Sequence, residues 1–249
     1  GGKGRNWFIR MPAGNGFVFG NPKLDWGYES LPQPGLNNRR IYFPRGKALG
    51  GSSIMNGMIY VRGVPSDYDQ WRDRGLKGWG FADLLPYFRR AQAASNRSDA
   101  WHGTSGPLIT EPAANFGTLD KAFVNAAIAA GHKLLDDFNG PERTGVGRAD
   151  STVSKGIRQS SAIAYLDKPP KNLTILTERH IHRVLFEGRK AIGIRSLSGD
   201  TLRARREVIL CQGAFGTPQT LMLSGIGPAD HLSKLGVPVQ VDLPGVGQN

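Results

Sequence analysis

The 249-residue sequence predicts a mixed α/β (α+β) fold, and three observations support this class. Apolar residues recur at helical spacing in three segments, β-rich runs with intervening turns follow them, and a strand-turn-helix pattern comes after these runs. Hydrophobic side chains make up 39% of the chain, which is enough to bury a sizeable core. This composition excludes disordered and coiled-coil proteins.

The first and third predicted helices are recognised by their spacing and by their prolines. The first covers about residues 82–94, where Pro86 is tolerable only in the first turn. The third covers residues Ser160 to Leu166, because Pro169 and Pro170 follow it.

The second predicted helix has the clearest pattern. Thr118 is a good N-cap, Asp120 suits the positive end of the helix dipole, and Gly131 follows the last apolar position. Its predicted buried stripe consists of Leu119, Phe123, Ala126, Ala127 and Ala130.

The β-rich runs predict a small antiparallel meander. They cover Leu173–Thr177, Arg183–Glu187, Ala191–Ser196 and Thr201–Cys211. The last run ends in the apolar residues 208–210, and Thr217 as N-cap with Pro218 at N1 predicts the helix of the strand-turn-helix unit.

The net charge of +12 raises the question of nucleic-acid binding, but the basic residues are scattered pairs such as Arg39-Arg40 and Arg205-Arg206. No recognition motif accompanies them, so we predict a solvated basic surface and no nucleic-acid partner. No run of eighteen apolar residues occurs, and the N-terminus lacks a secretory pattern. With the single Cys211, this predicts a cytoplasmic protein without an integral membrane segment.

The most informative segment covers residues 46–69, GKALGGSSIMNGMIYVRGVPSDYD, which we call the glycine loop. It contains five glycines, two adjacent serines and one asparagine among apolar residues. Such a composition is costly in backbone entropy unless the main chain bends sharply or approaches a ligand closely. The loop therefore predicts a flat, polar ligand, whereas an ordinary tight turn is the alternative.

The glycine loop resembles the first signature of the glucose-methanol-choline (GMC) oxidoreductases, flavoproteins that oxidise alcohols. The segment GAFGTPQTLMLSGIG, residues 213–227, resembles their second signature, except that Thr220 stands where an aliphatic residue is usual. Further similar segments are GWGFADLLPYFRRAQ, WHGTSGPL, SKGIRQSSAIAYL and NLTILTERHIHRVLFEG. The resemblance therefore extends over nearly the whole chain.

The resemblance implies FAD as cofactor, bound by part of a Rossmann-like domain that adjoins part of a substrate domain. It implies three parts: residues 1–95 of the FAD domain, 96–170 of the substrate domain, and 171–249 returning to the FAD domain. The implied cofactor-binding residues are Gly50, Gly51, Ser52, Ser53, Asn56, Gly57, Met58, Ile181 and Ala214. Arg45 and Lys47 are weaker candidates, as complements to phosphate charge.

The resemblance also implies an activity, hydride transfer from the CH–OH group of an alcohol to the flavin, with an unknown electron acceptor. Hydroxynitrile lyases of the same fold are an alternative, as is an inactive fragment or a non-catalytic basic binding protein. The family takes its catalytic histidine from the C-terminal half, to which none of the five histidines here belongs. We therefore assign no catalytic residue.

The first G-x-G-x-x-G fingerprint of the family is absent, and both ends of the sequence resemble cut ends. In particular, the pair Gly1-Gly2 resembles the end of a first βαβ unit. We expect a fragment that binds FAD poorly alone, because amides at a helix N-terminus supply much of a pyrophosphate site.

For the remaining candidate functional residues we favour structural interpretations. His180 and His182 stand two apart on a predicted strand, but nothing nearby completes a metal site, so we predict none. Cys211 follows an apolar run and is predicted to be an inert buried thiol. The aromatic residues Trp71, Trp79 and Trp101 are predicted to pack in the core in preference to lining a substrate pocket.

Overall fold

The structure is a computed structural model that describes residues 6–95, 97, 100–114 and 116–248. Its helices are α1 (Trp7–Arg10), α2 (Asn15–Val18), α3 (Pro65–Asp73), α4 (Phe81–Ala91), α5 (Thr118–Ala129), α6 (Ser161–Leu166), α7 (Gly213–Leu223) and α8 (Ala229–Lys234). Short 3₁₀ helices cover Pro12–Gly14, Pro34–Leu36 and Gly51–Ile54. Helices and several sheets alternate along the chain, so the predicted mixed α/β class is confirmed.

The strands are short in the first two thirds of the chain. They are β1 (Tyr28–Glu29), β2 (Tyr42–Phe43), β3 (Ile59–Tyr60), β4 (Gln92–Ala94), β5 (Leu108–Pro112), β6 (Leu134–Leu135), β7 (Val146–Gly147), β8 (Asp150–Ser151), β9 (Val153–Ser154), β10 (Ile157–Arg158), β11 (Ile181–Glu187), β12 (Lys190–Ser196), β13 (Thr201–Arg203), β14 (Ile226–Gly227) and β15 (Val241–Asp242).

The chain divides into two compact units, Gly1–Thr174 and Ile175–Asn249. The division into three parts at residues 95 and 170 stays a prediction. The pair Gly1-Gly2 and the last residue, Asn249, lie outside the described residues. Within the described part of the chain, no helix has both the length and the apolar composition needed to cross a bilayer.

The first unit is built around a four-stranded sheet of order β3-β8-β5-β4, in which β4 and β5 are parallel and the other pairs antiparallel. The two-stranded pairs β1-β2, β6-β7 and β9-β10 surround it. One apolar cluster lies directly under the glycine loop, formed by Ile9, Val18, Leu24, Ile54 and Met55. Two of these residues belong to the loop, so the loop is anchored by its own apolar side chains.

The second unit contains the predicted antiparallel meander, β11-β12-β13, and a parallel pair, β14-β15. Helix α7 packs on β11. Ser224, just after α7, is 7% exposed; its hydroxyl accepts the Val184 N–H at 2.8 Å and donates to the Thr220 carbonyl at 2.5 Å. A side-chain hydroxyl thus connects strand and helix.

Two of the predicted strand segments are not strands. Residues 173–177 and 208–210 have no ladder partner among the described residues, and Ile209 is 73% exposed. β-Propensity marks a residue as suitable for a pleated sheet, but a neighbouring strand has to supply the hydrogen bonds. Cys211, next to the second segment, is exposed, so the prediction of a buried thiol was wrong.

The helix ends differ from those predicted because capping side chains lie inside the helices. The Asp120 carboxylate accepts the Gly117 N–H at 2.8 Å, which makes Gly117 the N-cap of α5 in place of Thr118. The Asp83 carboxylate likewise accepts the Gly80 N–H at 3.1 Å, which makes Gly80 the N-cap of α4. Helix α4 therefore begins at Phe81, and Pro86 lies beyond its first turn.

Long-range contacts decide two further boundaries. Helix α4 ends at Ala91 because residues 92–94 pair with β5, which local periodicity does not show. Helix α7 begins at Gly213, so Thr217 is not its N-cap and Pro218 lies inside it. The end of the third helix was predicted correctly at Leu166, and its start lies one residue later than predicted, because Ser160 is the N-cap of α6.

The predicted buried stripe of α5 is wrong as well. Leu119 is 84% exposed and Phe123 is 69% exposed, whereas Val124, on the other face, is buried. Trp71 and Trp79 are also half exposed; they contact each other at 6.1 Å between ring centroids and do not form part of a sealed core.

Candidate functional site

The glycine loop forms a sharply bent platform whose backbone conformation depends on glycine. Gly50 has φ +103° and Gly51 has φ +52°, the left-handed region in which side chains are rarely accommodated. A 3₁₀ turn over Gly51–Ile54 follows, and Met58 adopts φ +61° at the far end. Three residues with left-handed backbone conformation therefore lie within nine positions, 50–58.

Two serines fasten the first bend to helix α6. The Ser53 hydroxyl donates to the Gly50 carbonyl at 2.5 Å and accepts the Ser161 N–H at 2.9 Å. The Ser161 hydroxyl donates to the same Gly50 carbonyl at 3.1 Å. Hydroxyls that both donate and accept can close such a small network without leaving a polar atom unpaired.

Arg158 supports the loop from beneath and is only 1% exposed. Its guanidinium donates five hydrogen bonds, to Ile9 O (3.1 Å), Ser53 O (3.3 Å), Asn56 O (2.8 Å), Asn56 Oδ1 (2.9 Å) and Asn15 Oδ1 (2.6 Å). Burial lowers its pKa, yet arginine stays charged at neutral pH. Among the described residues no carboxylate pairs with it, so oxygen dipoles alone compensate this cation.

Nothing in the sequence pattern singles out Arg158. It lies in the segment SKGIRQSSAIAYL, where its type and spacing are those of an ordinary surface residue. Only the tertiary structure shows that β10 points this side chain under the loop.

A buried carboxylate holds the start of the glycine loop. Asp25 is 3% exposed and accepts the N–H groups of Gly20 (2.9 Å), Gly27 (3.0 Å) and Arg45 (3.0 Å) as well as the Tyr42 hydroxyl. Burial alone would raise its pKa, but the Tyr42 hydroxyl and the three amides outweigh burial and hold the pKa of Asp25 below its usual value.

The end of the loop is held at Arg62 by a buried polar network. Its guanidinium donates to Gln92 Oε1 and to the Trp101 carbonyl, both at 2.6 Å. His102, to which the sequence assigned no role, is 1% exposed and lies between Gln92 Oε1 (3.1 Å) and Asp137 Oδ2 (2.9 Å). Burial alone would raise the pKa of Asp137, but hydrogen bonds from the Asn139 amide and His102 lower it overall.

The outer side of the loop is open. Apart from the adjoining residues of the chain, no atom of the described residues lies within 4 Å of the position that a Cβ would occupy at Gly51 or Gly57. The Gly57 amide has no hydrogen-bond partner in the described part of the chain. A flat ligand can therefore approach this backbone to van der Waals distance, and the loop fits the face of a ring system.

Seven of the nine predicted cofactor-binding residues belong to this loop by sequence, and whether they bind a cofactor stays a prediction. Gly51, Ser52, Asn56 and Gly57 are exposed, whereas Gly50, Ser53 and Met58 are half-buried. Lys47 and Arg45 make local contacts: the Lys47 ammonium lies 4.9 Å from the Trp26 ring centroid, and the Arg45 guanidinium donates to the Pro44 carbonyl at 2.7 Å.

The other two predicted residues belong to the second unit. Ile181 begins β11 and lines a cavity of about 280 Å³. The further lining residues are Leu176, Arg179, Ile194, Ser196, Asp200, Thr201 and Leu202. Ala214 is exposed in the first turn of α7, directly after Gly213, which has φ +77°.

The described residues do not form a metal-binding site. Within the described ranges, no three His, Cys, Asp or Glu side chains are arranged to hold an ion. His180 and His182 accordingly do not form part of such a cluster.

A family model described as GMC oxidoreductase matches residues 13–249 of this chain. The chain is 46% identical over 250 residues to an oxygen-dependent choline dehydrogenase of Pseudomonas savastanoi pv. phaseolicola, covering 96% of the chain and 44% of that protein. It is 44% identical over 246 residues to one of Sinorhizobium fredii, covering 97% of the chain and 45% of that protein. The chain therefore spans slightly less than half the length of these relatives.

Solved structures agree with this relationship. Pyridoxine 4-oxidase from Mesorbium loti superimposes with a TM-score of 0.90 at 34% identity, covering 98% of this chain and 49% of that one. An FAD-dependent oxidoreductase from Chaetomium thermophilum superimposes with a TM-score of 0.85 at 31% identity, covering 95% and 44%. With a family model matched over nearly all of its residues, the chain belongs to the GMC oxidoreductase family.

Proposed function

We propose that this chain builds the flavin-facing part of an FAD-dependent oxidoreductase that acts on the CH–OH group of an alcohol. Choline and similar small alcohols are the proposed substrate class, because the related proteins are named oxygen-dependent choline dehydrogenases. When bound, FAD would supply the chemistry by accepting a hydride from the alcohol carbon.

The observation that carries this proposal is the open glycine loop braced from beneath by Arg158. The bare backbone at Gly51 and Gly57 lets a ring lie close, and the contacts of Ser53 and Arg158 keep that backbone from collapsing into the space. A site organised before its ligand arrives loses less entropy on binding. We infer that this loop binds the isoalloxazine ring.

Ile181 and Ala214 would contact other parts of the cofactor. The resemblance assigns the backbone at Ile181 to the adenine, and the cavity beside it offers space together with the polar side chains of Arg179 and Asp200. At Ala214 a small side chain would let the cofactor pass the first turn of α7. The electron acceptor is unassigned, and a cytoplasmic location stays a prediction.

The proposal is tested on the protein purified at its full natural length. We expect a yellow preparation with resolved flavin bands, which bleach when choline or another small alcohol is added without oxygen. A folded, colourless protein that takes up no added FAD would contradict the cofactor assignment.

The same experiment separates the hydroxynitrile-lyase alternative. A lyase would bind FAD but would leave it oxidised in the presence of its substrate, because no net redox change accompanies the cleavage. Flavin that stays oxidised with every alcohol tested, while a hydroxynitrile is consumed, would favour that alternative over alcohol oxidation.

A further inference from the structure

The sequence contains three Asn-Gly pairs, at residues 15–16, 56–57 and 139–140. In such a pair the backbone nitrogen of the glycine can attack the carbonyl carbon of the asparagine side chain, because glycine has no Cβ to hinder the approach. The structure gives the three pairs different surroundings. They therefore differ in how readily this attack takes place.

The Asn56 side chain is held in an arrangement that favours the attack. Its Oδ1 atom lies 2.9 Å from a guanidinium nitrogen of Arg158 and 3.3 Å from the Met58 amide nitrogen. Both neighbours only donate hydrogen bonds, so the atom that faces them is the amide oxygen. Two donors aimed at a carbonyl oxygen stabilise the negative charge that develops there during nucleophilic attack, as in an oxyanion hole.

The attacking nitrogen and the leaving group of this pair are both accessible. The hydrogen bond from the Met58 amide to Asn56 Oδ1 spans Gly57, so it folds the side chain back toward the Gly57 nitrogen. Among the described residues, neither the Gly57 nitrogen nor the Asn56 NH₂ group has a hydrogen-bond partner. Asn56 and Gly57 are also exposed. No hydrogen bond therefore has to break before the attack, and water reaches the leaving group.

We infer that Asn56 is a deamidation site of this protein. The Gly57 nitrogen bonds to the side-chain carbonyl carbon of Asn56 and gives its proton to water. The bond from that carbon to the NH₂ nitrogen breaks, and this nitrogen leaves as ammonia with a proton from water. A water molecule then opens the five-membered succinimide and leaves aspartate or isoaspartate. In total one water is consumed and one ammonia is released, without oxidation or reduction.

The product carboxylate would lie against Arg158. Among the described residues this cation has no carboxylate partner, so an aspartate at position 56 would supply one through a charge-assisted hydrogen bond. Isoaspartate would instead lengthen the main chain of the glycine loop by one carbon. Deamidation therefore changes the charge of the loop and, in isoaspartate, also its length. This inference does not rest on the proposed function.

The other two Asn-Gly pairs are internal controls. Asn15 begins helix α2, and its NH₂ donates to the Asn56 carbonyl at 3.4 Å, although its Oδ1 accepts from the same Arg158 guanidinium at 2.6 Å. Asn139 is 1% exposed, and its NH₂ donates to the Tyr60 carbonyl at 3.0 Å. In both pairs the leaving NH₂ group is hydrogen-bonded, and burial also keeps water from Asn139.

The experiment follows the three sites by mass spectrometry of peptides from the full-length protein, freed of flavin and incubated at neutral pH. Cooperative thermal unfolding shows that the sample is folded, and a sample unfolded in guanidinium chloride gives the rate of each site without structure. We expect Asn56 of the folded protein to deamidate at least about tenfold faster than Asn15 and Asn139, a ratio below what one oxyanion donor contributes to acyl transfer.

Equal rates at the three sites of the folded protein would overturn the inference. So would the absence of reaction at Asn56 while the unfolded sample reacts. Either result leaves the proposed function intact, because no FAD takes part in the measurement. If removal of flavin unfolds the protein, the same comparison is made on the protein as purified, and Asn56 must still be the fastest site.

Two variants test the parts of the site separately. In Gly57→Ala the added methyl group meets no described atom within 4 Å apart from the adjoining residues, so the protein should stay folded. The methyl group hinders the attack, and we expect deamidation at Asn56 to slow about tenfold. An unchanged rate would contradict attack by the Gly57 nitrogen.

Arg158→Gln removes the positive charge that faces Asn56 Oδ1. We expect a slower reaction at Asn56, because the developing negative charge loses its strongest donor. A loop that is merely loosened would react faster, toward the rate of the unfolded sample, and that result would contradict the role of Arg158. Gly57→Ala alone decides the test if Arg158→Gln does not fold.

Discussion

The two segments that resemble family signatures, the glycine loop and residues 213–227, are held in different ways. The loop is fastened at its start by Asp25, beneath by Arg158 and at its end by Arg62, three buried charged side chains from different parts of the chain. The second segment relies on Ser224 and on the packing of α7 against β11. The apolar run before it, residues 208–210, forms no ladder with described residues.

The two segments therefore depend on two different kinds of hydrogen bond. The loop's shape follows from hydrogen bonds between side chains and backbone oxygens, which satisfy polar groups that would be costly to bury alone. The predicted strand before α7 requires backbone partners, which the side chains of the run cannot supply. We infer that the glycine loop is preorganised by contacts within the first unit.

The largest expected effect comes from Arg158→Met, which removes the brace of the loop. Three acceptors on buried or half-buried residues, Ile9 O, Ser53 O and Asn15 Oδ1, lose this donor. At about 1 to 3 kcal/mol each, we expect a loss of at least about 3 kcal/mol in the free energy of unfolding. Urea denaturation of the full-length protein measures it. A loss below about 1 kcal/mol would show that the loop does not depend on this arginine.

A smaller loss is expected from Gly46→Ala. A Cβ at Gly46 would lie 2.2 Å from the carbonyl oxygen of Gly51, so the backbone of the loop would have to move. We expect a loss of about 2 to 3 kcal/mol in urea denaturation.

Gly57→Ala is the matched comparison on the same loop. Its Cβ would meet no atom within 4 Å, so the stability should change by less than about 0.5 kcal/mol while FAD affinity falls. Gly35→Ala, also in open space but outside the loop, controls for the substitution itself. Equal FAD affinity in the Gly35 and Gly57 variants would mean that no ligand lies against Gly57.

The cofactor-binding residues stay a prediction, whereas several predicted helix boundaries were wrong. Glycines and serines in one segment indicate close ligand approach because that chemistry is local, and seven predicted residues lie together on the loop. Arg158 and Asp25 escaped prediction because their burial depends on contacts between distant segments, such as the contact from Arg158 to Ile9. The exposed apolar stripe of α5 is a further example. Periodicity predicts that a helix has an apolar face, but it does not show which part of the chain packs against that face.

In the second unit, Ser224→Ala tests the hydroxyl that connects β11 with α7. The variant leaves the buried Val184 N–H without its acceptor, so we expect a loss of about 1 to 2 kcal/mol in the free energy of unfolding. Ser233→Ala, at an exposed serine of the same unit whose hydroxyl has no hydrogen-bond partner among the described residues, should cost less than about 0.5 kcal/mol. Equal losses of stability in the two variants would mean that the Ser224 hydroxyl does not stabilise the contact between β11 and α7.

A distinct effect in acid is expected from Asp25→Asn, which also places an NH₂ group where a carboxylate oxygen accepts hydrogen bonds in the wild type. Because the folded state lowers the pKa of Asp25, the unfolded chain takes up its proton first as the pH falls. The stabilisation is therefore present above the ordinary pKa of 3.8 and is lost as the pH drops through the lower pKa of the folded state.

Unfolding free energies measured across the acid range should fall less steeply for Asp25→Asn than for the wild type. Part of the slope should remain, since the pKa of Asp137 is also lowered on folding. Glu29→Gln, which removes an exposed carboxylate near Asp25 in sequence, controls for the loss of one charge. Parallel curves for wild type and Asp25→Asn would mean that the charge of the Asp25 carboxylate does not stabilise the start of the glycine loop.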